Sequence, residues 1–255
     1  MQAPHPLLLL SLVVLPATGR AQAPGYDLTT LACSRFAESV FGRVESRFGT
    51  VRRTETLGRE GVLSVVASPD SDGVTIEAWF DTLSVFREGP EGRDTPDTDG
   101  MLGGRYGGVL DPQGSYLAVT APFIPAAMRD IFDFARLPLH FFPPLPPRPI
   151  APGGEWSDGG ELTIWRLADS AEAAGAVQRY RWIRRERWDE GIVVADSTIV
   201  VHRSEREEGL LLWRGGEGPL GWESDIAATL EFSGGEGRSE VTQEVRVRRL
   251  SRDCR

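Results

Sequence analysis

The chain has 255 residues, 40% of them hydrophobic and 25% charged, with a formal net charge of −9; this is an ordinary balance for a globular protein. All 28 basic residues are arginine, and lysine and asparagine are absent, which points to GC-rich coding rather than to chemistry. The acidic balance argues against nucleic acid as a partner, because phosphate contacts call for basic surface.

The apolar run Leu7–Leu15, the breaker Pro16 and the small residues up to Ala21 read as a secretory signal peptide over 1–21, with position 23 as a second cleavage point. A run of nine residues is too short for a transmembrane helix, which needs about 20, so no stable membrane anchor is expected after cleavage. Thr30-Leu31-Ala32-Cys33 looks faintly like a lipobox, but it lies across a polar stretch from the apolar run. In an exported chain with two cysteines, Cys33 and Cys254 are expected to pair. Such a long loop would contribute roughly 5 kcal/mol in the chain-entropy picture.

Beyond the leader, Asp27 as N-cap and the stripe Leu28, Ala32, Phe36, Val40 predict a helix over 27–41. Period-two patterns follow. They predict strands at 51–57, 62–67 and 74–80, separated by turns at Gly58–Gly61 and Ser68–Gly73. In the third of these, Val74, Ile76, Ala78 and Phe80 share a face. Residues 88–104 read as a solvent loop, 106–110 and 115–120 as a hairpin about Asp111–Gly114, and 126–137 as a short helix. The Pro-rich strap 138–154 is expected to cross between two lobes, 22–137 and 155–255, in extended form with Phe141, Phe142 and Leu145 buried. In the second half, strands are predicted at 162–167, 177–188, 192–202, 209–214, 222–232 and 238–250, with a turn at Asp189–Gly191. The fold class is therefore mainly β (α+β): a curved antiparallel sheet or partly closed barrel with one or two short helices.

The last hairpin allows a register to be written. The even residues Trp222, Ile226, Ala228, Leu230 and Phe232, with Ser224 among them, and the odd residues Val241, Val245 and Val247 form the apolar faces. A turn centred on Gly235 and Glu236 gives paired numbers a sum of 471, which sets Leu230 opposite Val241 and Asp225 opposite Arg246.

Leu145-Pro146-Pro147-Arg148-Pro149-Ile150-Ala151-Pro152-Gly153-Gly154-Glu155-Trp156, together with a leader, an early helix and long amphipathic strands, resembles exported bacterial proteins with an open β-barrel fold. The architecture is similar to that of periplasmic lipoprotein carriers. The resemblance implies a curved sheet able to hold acyl chains and transfers no individual residue.

Catalytic motifs are absent. His140 and His202 are the histidines beyond the leader, and neither accompanies a Gly-x-Ser-x-Gly elbow. His and Cys at zinc-ligand spacing are missing, the acidic loop Asp94–Gly100 departs from a calcium loop in its ligand positions, and no cofactor or metal is expected. The tryptophans carry the functional expectation: Trp79, Trp165, Trp182, Trp188 and Trp222 are read as ligand-binding, lining an apolar cavity on the concave face, with core packing as the alternative. The arginines 179, 181, 184, 185 and 187 are read as ladders paired with strand carboxylates. The leading reading is an exported, non-enzymatic envelope protein that binds an apolar ligand or a partner protein. A secreted hydrolase of envelope or extracellular polymers, and a scaffold without ligand, are the alternatives.

Overall fold

A computed structural model describes residues 23–71, 73–129, 131–173, 175–194, 197–233 and 237–253. The expected leader at 1–21 and Cys254 fall outside the described residues. The strands are β1 (Cys33–Phe48), β2 (Val51–Pro69), β3 (Val74–Gly89), β4 (Gly92–Asp94), β5 (Tyr106–Leu110), β6 (Tyr116–Thr120), β7 (Glu155–Ser157), β8 (Leu162–Arg166), β9 (Ser170–Glu172), β10 (Gly175–Val194), β11 (Ser197–Arg214), β12 (Gly218–Phe232) and β13 (Gly237–Ser251). They form one antiparallel sheet in the order β6-β5-β3-β2-β1-β13-β12-β11-β10-β8-β7, with β4 added beside β3 and β9 beside β10. The sheet does not close, and β6 and β7 are its two edges. Among the described residues, helix is confined to the short segments α1 (Leu28–Leu31), α2 (Ala126–Arg129) and α3 (Leu137–Phe141) and two 3-10 turns at Asp99–Met101 and Phe134–Arg136.

The predicted helix over 27–41 is corrected. Asp27 does cap a helix, accepting from the amides of Thr29 at 2.8 Å and Thr30 at 2.9 Å, but α1 stops at Leu31 and β1 begins at Cys33. The reason is arithmetic. Residues 36, 40 and 44 lie four apart, which is one helical turn and also twice the strand period. Ser34, Phe36, Glu38 and Val40 are all buried, so the alternation wins because β1 finds partners on both sides, β2 and β13.

Two predicted turns are also strand. Gly58–Gly61 lies within the 19 residues of β2 and Asp189–Gly191 within the 20 of β10. At Gly58 the missing side chain answers to crowding instead of turning: a Cβ there would stand 1.9 Å from the Phe86 ring. The segment 88–94, expected as loop, extends β3 and adds β4.

The final hairpin keeps its predicted faces and shifts by two residues. Trp222, Ser224, Ala228, Ser239 and Val247 are buried, so even residues of β12 and odd residues of β13 do face inward. Leu230 nevertheless pairs with Ser239, Ala228 with Val241 and Trp222 with Val247, a sum of 469. Asp225 consequently faces Glu244, and Glu223 faces Arg246. The other side of β13 explains the choice. It is held by β1, with Val44 opposite Val241 and Val40 opposite Val245, and the Phe48 and Phe232 rings meet at 5.2 Å. A Cβ at Gly237 would lie 2.6 Å from Phe48 and 3.0 Å from Phe232, so that ring pair needs the glycine where it is. Charge pairs on the wet face, each about 0.2–1 kcal/mol, do not oppose this packing.

Residues 121–154 run from the edge strand β6 to the edge strand β7. Phe141, Phe142 and Leu145 are 4%, 4% and 1% exposed, as the strap reading required, although its first residues belong to α3 rather than to an extended crossing. The prolines that follow preclude a longer helix.

All four tyrosines, Tyr26, Tyr106, Tyr116 and Tyr180, are buried. Burial raises the pKa of each hydroxyl, that of Tyr116 to about 12. A phenol ionises near 10 once unfolded, so this contribution to stability is complete below pH ~10 and is lost as pH rises from there through the folded values. Tyrosinate absorbance is expected to stay flat through pH ~10 and then rise together with loss of the fold. A smooth titration near 10 with intact circular dichroism would contradict it.

Candidate functional site: a lidded cavity on the inner face of the sheet

The sheet must wrap. Adjacent strands lie about 4.8 Å apart, so β5 and β11, six spacings apart in the order, are about 29 Å distant along the sheet. Tyr26 nevertheless touches both regions: its amide donates to the Pro112 carbonyl at 3.0 Å, just after β5, and its ring meets Trp213 of β11 at 5.5 Å. Its hydroxyl donates to the Pro143 carbonyl at 2.9 Å, so the strap lies inside the curve.

At one end the space inside the curve is filled. Phe36, Trp222, Phe141, Phe142, Tyr180, Trp182 and Trp213 form a continuous aromatic core with the apolar residues of both halves. Towards the other end the filling stops and a cavity of about 670 Å³ opens, within the range of small-molecule sites. Its floor, on the three central strands, is mainly apolar, with Val40 and Val44 of β1, Val241 and Val245 of β13, and Ile226 and Leu230 of β12, and is interrupted by Gln243 and Ser224. Ile131, Phe132, Leu137 and Phe141 of the crossing segment, with Arg129 and Asp133 beside them, form its lid.

Both walls are charged, and the charges are paired. On the β1–β2 side Arg59 donates to Glu38 through Nε at 3.0 Å and Nη2 at 2.6 Å, and its guanidinium lies 5.0 Å and 5.4 Å from the rings of Phe132 and Phe134. The lid therefore rests on a buried ion pair. Next to it Glu55 accepts from Arg87 at 2.8 Å and 3.0 Å. On the β10–β11 side Arg203 donates to Glu205 at 2.6 Å and sits 4.8 Å from the centre of the Trp188 ring. An apolar floor between fixed polar walls can hold a molecule that is itself apolar in the middle and polar at its margins.

The five tryptophans read as ligand-binding are not brought together. Trp188 and Trp222 line the cavity. Trp182 is 1% exposed and belongs to the filled core. Trp79 and Trp165 point to the opposite face of the sheet. The Trp79 indole donates to Asp81 at 2.9 Å, with Arg105 stacked 3.4 Å from the ring centre. That of Trp165 donates to Glu155 at 2.7 Å. The valines, Glu38 and Arg59 were not singled out from sequence, although the inward valines of β13 were already visible as its apolar face.

On the outer face Arg181 pairs with Glu208, as does Arg206 at 3.0 Å, and Arg238 with Glu240 at 2.9 Å. Of the arginine cluster expected to form such ladders, Arg181 pairs here and Arg184 pairs with Glu207 at 2.5 Å on the inner side. His202 Nδ1 lies 2.7 Å from Asp189 on that same face, both side chains more than half exposed. Among the described residues no serine completes a triad with them, and no group of His, Cys, Asp and Glu could hold a metal ion. No described helix is long and apolar enough to cross a membrane.

No protein family and no curated protein matches the chain by sequence. Among solved structures it is similar to the beta domain of the Bordetella autotransporter Brka, 12% identical over 86% of this chain and 99% of that one, with a TM-score of 0.30. It is also similar to an exported protein with a YmcC-like fold from Bacteroides fragilis, 11% identical over 88% of this chain and 97% of that one, with a TM-score of 0.21. At these TM-scores neither carries an argument about fold or function.

Proposed function

We propose that this is an exported, non-enzymatic envelope protein that binds an amphipathic molecule, its apolar part lying along the valine strip beneath the lid. The cavity carries the reading: about 670 Å³ with a mainly apolar floor, walls of paired charges and a cover whose apolar residues are flanked by Arg129 and Asp133. The leader supports export, and the charged outer ladders argue against the sheet spanning a bilayer as a barrel, whose outer band must be apolar. Native mass spectrometry of protein purified from its host's envelope fraction should show an added mass of lipid type. Ile226→Trp places an indole over the floor and should abolish that mass while leaving the circular dichroism unchanged. A clean mass for the unaltered protein, or equal loading of the variant, would sink the reading.

Export also supports a bond between Cys33 and Cys254. β1 opens at Cys33, and Arg35 pairs with Ser251 near the end of β13, so the strand geometry carries the chain back to the level of Cys33. Exported protein should take up no thiol reagent until it is reduced; immediate labelling of both cysteines in unreduced protein would refute the bond.

A further inference from the structure

The cavity beneath the lid has one closed end and one open end. In the β12–β13 ladder Trp222 lies opposite Val247 and Leu230 opposite Ser239, and the inward residues between these two levels make the length of the floor. The Trp222 end is sealed. Trp222 and Val247 are each 5% exposed, and the rings of Phe36 and Phe141 stand 5.5 Å and 5.0 Å from the indole. Farther along, Val44, Ile226, Leu230 and Val241 are only half-buried. Beyond Leu230 the rings of Phe48 and Phe232 meet at 5.2 Å, at positions that share the inward parity of Val44 and Leu230, and Phe48 is 50% exposed. The strip therefore runs from a buried aromatic wall to an exposed aromatic lip.

The dimensions narrow the occupant. From Ser224 to Leu230, at about 3.4 Å per residue of strand, the floor is about 20 Å long. A volume of about 670 Å³ spread over that length leaves a channel about 6 Å across. An α-helix with its side chains is about 10–12 Å thick, so a peptide helix does not fit, whereas one hydrocarbon chain does. The length suits it too, since half of a bilayer's roughly 30 Å hydrocarbon core is about 15 Å.

Resting on the reading that the cavity holds an amphipathic molecule, we propose that its ligand is a single straight acyl chain inserted tail first from the Phe48–Phe232 lip, and that Trp222 is the stop that sets the longest chain accepted. Each methylene laid on the floor leaves water, and each one beyond the room available stays in it. Ser224, which lines the cavity next to the stop, is small and so gives the tail its last step of depth. The head stays near the lip beside Arg203, which lies opposite Leu230 and whose side chain is 34% exposed.

Isothermal titration calorimetry with straight-chain carboxylic acids of about 8 to about 22 carbons should show affinity rising about fourfold per methylene and then levelling at one chain length. Trp222→Phe should move that length up and Ser224→Leu should move it down, with circular dichroism confirming that each is folded. If Trp222→Phe does not fold, Ser224→Leu alone decides. Ile226→Ala, in mid-floor, should weaken the chains that reach it and leave the levelling point in place. Affinity still climbing at the longest acid, or a levelling point that stays put in either folded variant, overturns the stop and leaves the reading of the cavity intact. Failure of every acid to bind overturns the acyl chain as ligand; the reading of the cavity falls with the clean native mass described above.

Discussion

An Arg59→Met variant is expected to lose about 3–5 kcal/mol, seen as a lower urea midpoint with little change in slope. The Arg59 and Glu38 side chains are 11% and 3% exposed, so removing the guanidinium strands a carboxylate where water does not reach. The attraction itself is not what is lost, since two buried charges pay heavily in desolvation for their pairing. Glu38→Gln/Arg59→Met should therefore regain most of the difference. The same substitution removes the cation beneath Phe132 and Phe134, and protease susceptibility at the crossing segment should rise with it. A single variant within about 1 kcal/mol of the parent would mean that solvent reaches the pair, as at a surface ion pair.

Trp222→Ala is expected to cost about 3–5 kcal/mol. The indole stands where the filled core gives way to the cavity, 5.5 Å from Phe36 and 5.0 Å from Phe141 between ring centres, and it is 5% exposed. Its loss empties the boundary and leaves Phe141, which anchors α3, without its closest ring. Thermal unfolding should report the loss, and Trp222→Phe should recover part of it. A cost under about 1 kcal/mol would show that the lid collapses into the space, because the penalty for a vacated site depends on how far the surroundings relax.

Much of the fold was legible in the sequence because alternation is local. Val74, Ile76, Ala78 and Phe80 share the buried face that their spacing requires, and the parity of the last hairpin is right. Trp79, at an odd position in the same run, already stood on the wet face; it was read as a ligand residue from its type, against its parity. What alternation could not supply was length and register. Phe36 and Val40 satisfy a helix and a strand equally. Gly58 and Gly191 carry turn chemistry, yet lie where neighbouring side chains or the extension of a ladder demand strand. The register of β12 on β13 depended on β1, almost two hundred residues earlier in the chain. The cavity is invisible for the same reason. Glu38 and Arg59 lie 21 positions apart, and their pairing is created by the β1–β2 register, as the valine strip is created by setting β1 beside β13.

The β1–β13 seam also bears on the order in which the molecule can form. β1, β2 and β3 pair with their sequence neighbours and can assemble as soon as they emerge, as can β10 to β13 later. The joint between these two groups needs the segment 237–251 laid against 33–48, a closure across nearly the whole chain, and contacts of such separation are slow to form. Until the last strand arrives, the free side of β1 offers up to sixteen residues of unpaired backbone, a longer template for wrong pairing than anything left in the finished sheet. The slow step of folding is therefore also the step that removes the greatest hazard of aggregation, and a holding chaperone would be needed in that interval rather than after it.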